Sequence, residues 1–309
     1  MASSEAADRR AVQICEVGPR DGLQNIDRRF TVAERIALID MLSAAGLPRI
    51  EAVSFVHPAR VPQMADPEAV LAYIARPPGV RFAGLVLNRR GGHRAMATAL
   101  DEIRFVLVAT ETMSRRNQGA SMAENVAAFR QLAGEVKAAG RTLTAVIAVA
   151  FGCPFEGEVA PEAVVALAAA AIAAGADEIV LADTIGTGVP RQVRDLAARL
   201  APVIGGRPLG FHFHNTRNTG YANAVAAIEA GAAVLDASIG GLGGCPFAPG
   251  ATGNIATEDL CYLLRRSGCP VPASDGRLFA AVAWLGDRVP GEISGQLHRV
   301  ARFPPDAAS

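Results

Sequence analysis

Leu143-Thr-Ala-Val-Ile-Ala-Val-Ala150, then an Ala-rich stretch from Pro161 to Ala174, then Glu178-Ile-Val-Leu-Ala182 follow one another near the middle of the chain. The outer two are short apolar runs without polar–apolar alternation, the pattern of strands covered on both faces. The longer segment between them ends at Gly175, where a helix C-terminal cap is expected. A buried strand, a helix and a second buried strand form a crossover unit, and such a unit implies a parallel sheet.

The unit repeats in both directions. Strands are expected at Val12–Val17, Arg49–Ser54, Arg81–Leu85, Glu102–Val108, Leu143–Ala150, Glu178–Ala182, Leu209–His214 and Ala233–Ala237. Helices are expected near Thr31–Ala45, Pro67–Ala75, Gly92–Leu100, Ser121–Ala139, Pro161–Ala174, Pro190–Ala201, Gly220–Glu229 and Ala256–Arg266. Thr31 with Glu34, and Ser121 with Glu124, have the spacing of capping boxes. Eight buried parallel strands close into a (β/α)8 TIM barrel. The alternative is an open doubly wound sheet, but the first strand is not followed by a Gly-rich dinucleotide fingerprint. The expectation is a single domain over residues 1–309, with the barrel at about 12–266 and a C-terminal helical extension at about 270–309 packed on it.

Composition narrows the function. Half of the 309 residues are hydrophobic, and 30 basic residues balance 30 acidic ones without a basic block. That argues against nucleic acid or an anionic membrane as partner. Five scattered cysteines give neither a disulfide framework nor a zinc motif, which fits a reducing compartment. Met1–Arg10 has no apolar leader core, and the Ala-rich runs are broken before they could span a bilayer. A cytoplasmic protein is expected.

In such barrels chemistry sits where the C-terminal ends of the strands meet their loops. Nearly every unusual polar residue falls there. Arg20 and Asp21 follow strand one, Glu51 interrupts apolar strand two, and Asp183 ends strand six. In Leu209-Gly-Phe-His-Phe-His-Asn215, strand alternation puts His212 and His214 on one face and the phenylalanines on the other. After strand eight comes a loop with six glycines between Gly240 and Asn254 that also carries Cys245. Each residue alone has a plainer reading: a rim ion pair for Arg20 and Asp21, a structural pair for Glu51, a helix cap for Asp183, an inert thiol for Cys245, core imidazoles for the histidines. Their coincidence on one face points to a metal centre. Asp21, His212, His214 and the Asn254 side-chain oxygen form a mixed O/N set without thiolate, which suits a divalent ion such as Mg²⁺ or Mn²⁺. The two imidazoles favour manganese or cobalt on chemistry alone.

Glu16-Val-Gly-Pro-Arg-Asp-Gly-Leu-Gln-Asn25, Glu51-Ala-Val-Ser-Phe-Val56, Val61-Pro-Gln-Met-Ala-Asp66, Gly152-Cys-Pro-Phe-Glu-Gly157, Asp183-Thr-Ile-Gly186, Gly241-Leu-Gly-Gly-Cys-Pro-Phe-Ala248 and Gly253-Asn254 together resemble the 3-hydroxy-3-methylglutaryl-CoA lyase family, over roughly residues 12 to 266. The family is related to isopropylmalate and homocitrate synthases. The resemblance implies a barrel enzyme that cleaves hydroxymethylglutaryl-CoA, an acyl-CoA thioester, to acetyl-CoA and acetoacetate. It implies metal ligation by Asp21, His212, His214 and Asn254, enolate stabilisation by Arg20, proton transfer by Cys245, and support from Glu51 and Asp183. Either His212 or Asp21 would help to take the substrate hydroxyl proton. Barrels of this kind often associate, so a homo-oligomer is expected.

Three departures bear on the substrate. Thr144-Ala145-Val146 stands where the family usually has Arg-Gly-Tyr, Asn215-Thr-Arg-Asn218 replaces its His-Asp-Thr, and Leu87-Asn88 replaces Pro-Asn. A related 3-hydroxyacyl-CoA, such as citramalyl-CoA or a longer-branched homologue, is therefore an alternative substrate. A Claisen-type synthase and a non-catalytic relative are the remaining alternatives.

Overall fold

The computed structural model describes residues 12–244, 252–300 and 303. Eight parallel strands close into a barrel in sequence order, β1 (Gln13–Glu16), β2 (Arg49–Ser54), β3 (Arg81–Val86), β4 (Glu102–Val108), β5 (Thr142–Ala148), β6 (Glu178–Asp183), β7 (Leu209–Phe213) and β8 (Val234–Ala237), with β8 pairing back onto β1. Around it run α1 (Val32–Ala44), α2 (Pro67–Tyr73), α3 (Arg89–Met96), α4 (Glu111–Gln118), α5 (Met122–Ala138), α6 (Pro161–Ala174), α7 (Pro190–Ile204), α8 (Gly220–Glu229) and α9 (Thr257–Arg266). The (β/α)8 TIM barrel expected from the strand pattern is the fold observed. Both capping boxes form: Thr31 Oγ1 accepts from Glu34 N, and Ser121 Oγ from Glu124 N. Among the described residues, no helix is long and apolar enough to cross a membrane.

Three helices differ from the sequence expectation, and the simplest difference is that α7 runs on to Ile204 instead of ending near Ala201. α3 begins at Arg89 instead of Gly92, because Asn88 Oδ1 accepts from Gly91 N at 2.9 Å and caps the helix three residues earlier. Gly92 lies inside that helix for a packing reason: a Cβ there would come within 2.6 Å of the Leu132 side chain on α5. α4 was not expected at all, since Glu111-Thr-Met-Ser-Arg-Arg-Asn-Gln118 has no apolar period. It nevertheless contributes Met113 and Arg116 to the wall of the main cavity.

Beyond the eighth unit, α10 (Asp275–Gly286) packs against α1, with Ser274 N donating to Ala45 O at 2.8 Å and Trp284 tilted against Phe30 at 6.2 Å between ring centres. The outward side chains of the strands meet the helices; Phe105 on β4 makes an edge-to-face contact with Phe129 on α5 at 5.4 Å. Burial of each such ring contributes about 1.5–3 kcal/mol.

The inward side chains are unusual. Barrel interiors are commonly filled by branched apolar residues, yet here the alternate positions carry Arg49, Glu51, Glu102, Arg104, Thr144, Glu178, His212 and Asp236, all buried. At the bottom, Arg49 donates to Glu102 and, through both terminal nitrogens, to Glu178 at 2.7 and 2.9 Å. Thr144 Oγ1 donates to Glu102 Oε1 at 2.8 Å. A buried charge is stable only when paired and hydrogen-bonded, so these strands are held in register by charge as well as by the backbone ladder. The charged floor supports the site above it.

Candidate active site

After β1 the chain turns at once through Gly18–Gly22, a π-type turn in which the N–H groups of Arg20, Asp21 and Gly22 converge on the Val17 carbonyl at 3.1, 2.7 and 3.2 Å. Turns of this type recur at functional sites. Close approach makes glycine necessary at both ends: a Cβ at Gly18 would lie 2.6 Å from Glu16 Oε1, and one at Gly22 would lie 2.6 Å from Ser238 Oγ. The Glu16 carboxyl fastens the turn to the β8 loop by accepting from Gly18 N, Ile239 N and Thr257 Oγ1 at 2.7, 2.9 and 2.6 Å. Burial pushes the Glu16 pKa up to about 7.

This turn carries Arg20 and Asp21 over the barrel mouth. Arg20 Nε donates to Glu51 Oε1, and Nη1 donates to Asp21 Oδ1 at 2.5 Å. Opposite them, His212 Nε2 and His214 Nε2 each stand 3.8 Å from Asp21 Oδ2. That is too long for a hydrogen bond, and ligand atoms of all three residues lie within 4.8 Å of one another. Asn254 joins from the far end of the Gly-rich loop through a backbone bridge to His214. Its Nδ2 donates to Asp21 Oδ2 at 2.8 Å and to Leu242 O at 3.0 Å. The four residues expected to hold a metal are thus brought together. Burial would raise the Asp21 carboxyl, but the Arg20 guanidinium and the two imidazoles outweigh it and hold Asp21 well below the usual carboxylate range. For His212, burial lowers the pKa, but the Asp236 and Asp21 carboxylates raise it above the ordinary imidazole value.

Two expected residues stand back from the metal candidates. Glu51 is buried beneath Arg20 and orients it. Asp183 is buried as well, but its two oxygens accept from Thr187 N and Gly188 N at 2.9 Å each, so it builds the turn after β6. Burial raises its pKa against those two donors. Thr184 is the residue that faces the cavity there. Cys245 lies outside the described residues.

Sequence reading missed two side chains. Asp236 Oδ2 accepts from His212 Nδ1 at 3.2 Å and from Arg104 Nη2 at 2.8 Å. A carboxylate on the second ring nitrogen fixes an imidazole's orientation and leaves Nε2 free as a ligand. The signal was available: Arg104 and Asp236 are charged residues at inward positions of otherwise apolar strands, the same feature that singled out Glu51.

These groups form the floor of a cavity of about 870 Å³, whose rim carries the exposed Arg60 and Arg116. A divalent ion fits the residues on two counts. The buried Asn254 Oδ1 has no hydrogen-bond partner among the described residues, and an unpaired buried polar atom costs about 1–3 kcal/mol. Among the described inward groups, the guanidiniums of Arg20, Arg49 and Arg104 face five carboxylates, Asp21, Glu51, Glu102, Glu178 and Asp236. Carboxylates outnumber guanidiniums in this set, which favours a bound cation.

Known proteins place this geometry in a family. The profile of the HMGL-like family matches residues 11–282. A (R)-citramalyl-CoA lyase of Chloroflexus aurantiacus is 45% identical over 285 residues, covering 89% of this chain and 90% of that protein. A hydroxymethylglutaryl-CoA lyase of Bacillus subtilis is 38% identical, covering 91% and 94%. The solved structure of an HMG-CoA lyase from Acinetobacter baumannii with coenzyme A and 3-methylmalate superposes with a TM-score of 0.91 at 36% identity, covering 99% of each chain. With profile, relatives and barrel in agreement over most of its length, this chain belongs to the HMG-CoA lyase family of carbon–carbon lyases.

Proposed function

We propose that the protein cleaves 3-hydroxy-3-methylglutaryl-CoA to acetyl-CoA and acetoacetate and depends on a divalent metal ion held by Asp21, His212, His214 and Asn254. The observation that carries this reading is the convergence of Asp21 with both imidazoles directly beside the Arg20 guanidinium, at the floor of a large cavity. A bound Mg²⁺ or Mn²⁺ would supply Lewis-acid charge beside the C3 hydroxyl. The rest of the work belongs to the chain. Of the two candidate bases, Asp21 would receive the hydroxyl proton, since its carboxylate keeps lone pairs beyond one metal bond whereas the ring nitrogens of His212 would be taken by the metal and by Asp236. As the C2–C3 bond breaks, its electron pair moves to C2 and onto the thioester oxygen, where Arg20 supplies fixed positive charge. Glu51 holds that guanidinium in place. The Cys245 thiol then protonates C2 to give acetyl-CoA and recovers its proton from solvent. Arg60 and Arg116 at the rim supply positive charge for the phosphates of the CoA.

A second reading has an observation of its own. The 45% identity to a (R)-citramalyl-CoA lyase and Val146, which lines the cavity where the family usually has a tyrosine, both favour citramalyl-CoA, whose cleavage by the same steps yields acetyl-CoA and pyruvate. The two are separated by their second product. Each thioester is incubated with enzyme and Mg²⁺ or Mn²⁺, and acetoacetate and pyruvate are measured. Acetoacetate from hydroxymethylglutaryl-CoA supports the first reading, pyruvate from citramalyl-CoA alone replaces it with the second, and cleavage of neither overturns both.

A further inference from the structure

Arg104 is the residue on which the two sides of the site depend. It projects inward from β4 and is almost fully buried. Its Nη2 donates to Asp236 Oδ2 at 2.8 Å, while its Nη1 donates to Cys15 Sγ at 3.3 Å and forms an ion pair with Glu51 Oε2 at 3.1 Å. Those two carboxylates have one further task each: Glu51 accepts from Arg20 Nε, and Asp236 accepts from His212 Nδ1. One guanidinium therefore ties the group beside the thioester to the group beside the metal.

We propose that Arg104 is a positioning residue that sets the mutual placement of Arg20 and His212, by a hydrogen bond to Asp236 on one side and an ion pair with Glu51 on the other. This inference rests on the function proposed above. The planar fork suits the task because its donors are fixed relative to one another, whereas a lysine ammonium can serve only one carboxylate well. Arg104 also borders the cavity floor, and its Nη1 and Nη2 each already face a protein carboxylate. In the β4–β5 register, Arg104 lies directly beside Thr144. That is the position where the sequence lacks the arginine of the family it resembles, so the neighbouring strand supplies the inward charge. Arg49, equally buried one layer below, serves as the internal comparison, since it pairs with Glu102 and Glu178 and touches neither Glu51 nor Asp236.

The test compares the parent with Arg104→Met, Arg104→Lys and Arg49→Met. Mn²⁺ affinity is measured by calorimetry without substrate, and kcat and KM are measured with the thioester the parent cleaves. Asp236 is the outer partner of His212, and loss of such a partner weakens metal binding about 10- to 100-fold; Arg104 acts one residue further out, so a weakening of about 5- to 10-fold is expected. Arg104→Met should show a weakening in that range and a fall in kcat of at least 100-fold, with KM within threefold of the parent. Arg104→Lys, which keeps the charge, should fall between Arg104→Met and the parent. Arg49→Met should lower the melting temperature while Mn²⁺ affinity stays within threefold of the parent. If Arg104→Met binds Mn²⁺ as the parent does and retains kcat, or if Arg49→Met weakens Mn²⁺ binding equally, the inference is overturned and the proposed function stands. A parent that binds no Mn²⁺ overturns the metal reading, and this inference with it.

Discussion

Replacing Glu51 by glutamine keeps the shape of the side chain and removes its charge, at a point where two arginines share one carboxylate. Oε1 accepts from Arg20 Nε, Oε2 stands 3.1 Å from Arg104 Nη1, and all three side chains are buried. A glutamine offers one carbonyl oxygen, so one guanidinium keeps an acceptor and the other meets an amide NH₂. Breaking a buried pair by removing one partner costs about 3–5 kcal/mol, a large share of the roughly 5–15 kcal/mol by which domains are stable. The melting temperature of Glu51→Gln should fall by several degrees. The catalytic cost follows from Arg20 losing its orienting acceptor: a misplaced donor at a developing oxyanion costs up to about 2.7–4 kcal/mol, or 10²–10³ in kcat. Glu51 does not touch Asp21, His212 or His214, so Mn²⁺ affinity should change by only a few-fold. The assay is acetyl-CoA release at saturating thioester, with Mn²⁺ titration and thermal melting on the same preparations. A folded Glu51→Gln enzyme with kcat within threefold of the parent would refute the role given to this carboxylate.

Two further outcomes are expected. Burial pushes the Glu258 carboxyl up to about 8 from an ordinary 4.5, and its Oε1 has no hydrogen-bond partner among the described residues. The folded state therefore holds this proton more tightly than the unfolded chain, so its contribution is fully present below about pH 4.5 and is lost as pH rises through about 8. Glu258→Gln should flatten that decline and raise stability at pH 8 by a few kcal/mol, read from denaturant titrations at pH 5 and pH 8; an unchanged slope would contradict the neutral carboxyl. Cys245→Ala should cut turnover steeply while leaving Mn²⁺ affinity nearly unchanged, and equal turnover in mutant and parent would remove the thiol from the reaction.

The barrel was legible because its strands are buried on both faces and separated by well-capped helices, so periodicity and punctuation agreed. The grouping of Asp21, His212 and His214 was legible because strand alternation alone puts both histidines on one face, and because a parallel barrel gathers every strand end at one rim. α4 was not legible, since it is held by what it packs against instead of by an apolar stripe; Gln118 Nε2, for instance, donates to Val106 O at 2.8 Å. Asp183 shows the opposite limit. Its place in the chain marks the rim, but its oxygens are spent on the amides of Thr187 and Gly188, which only the folded turn brings to it. Arg104 and Asp236 were visible as charges in apolar strands, yet their role depends on contacts between β2, β4, β7 and β8 that no local pattern records.

The most direct measurement is a Mn²⁺ titration of chelator-stripped enzyme, with acetyl-CoA release from hydroxymethylglutaryl-CoA and from citramalyl-CoA followed at each point. Release should be absent at the start, rise with occupancy, and saturate at one ion per chain. Asp21→Ala should abolish both binding and release. Full-rate release by the stripped enzyme, with no response to added ion, would contradict the account.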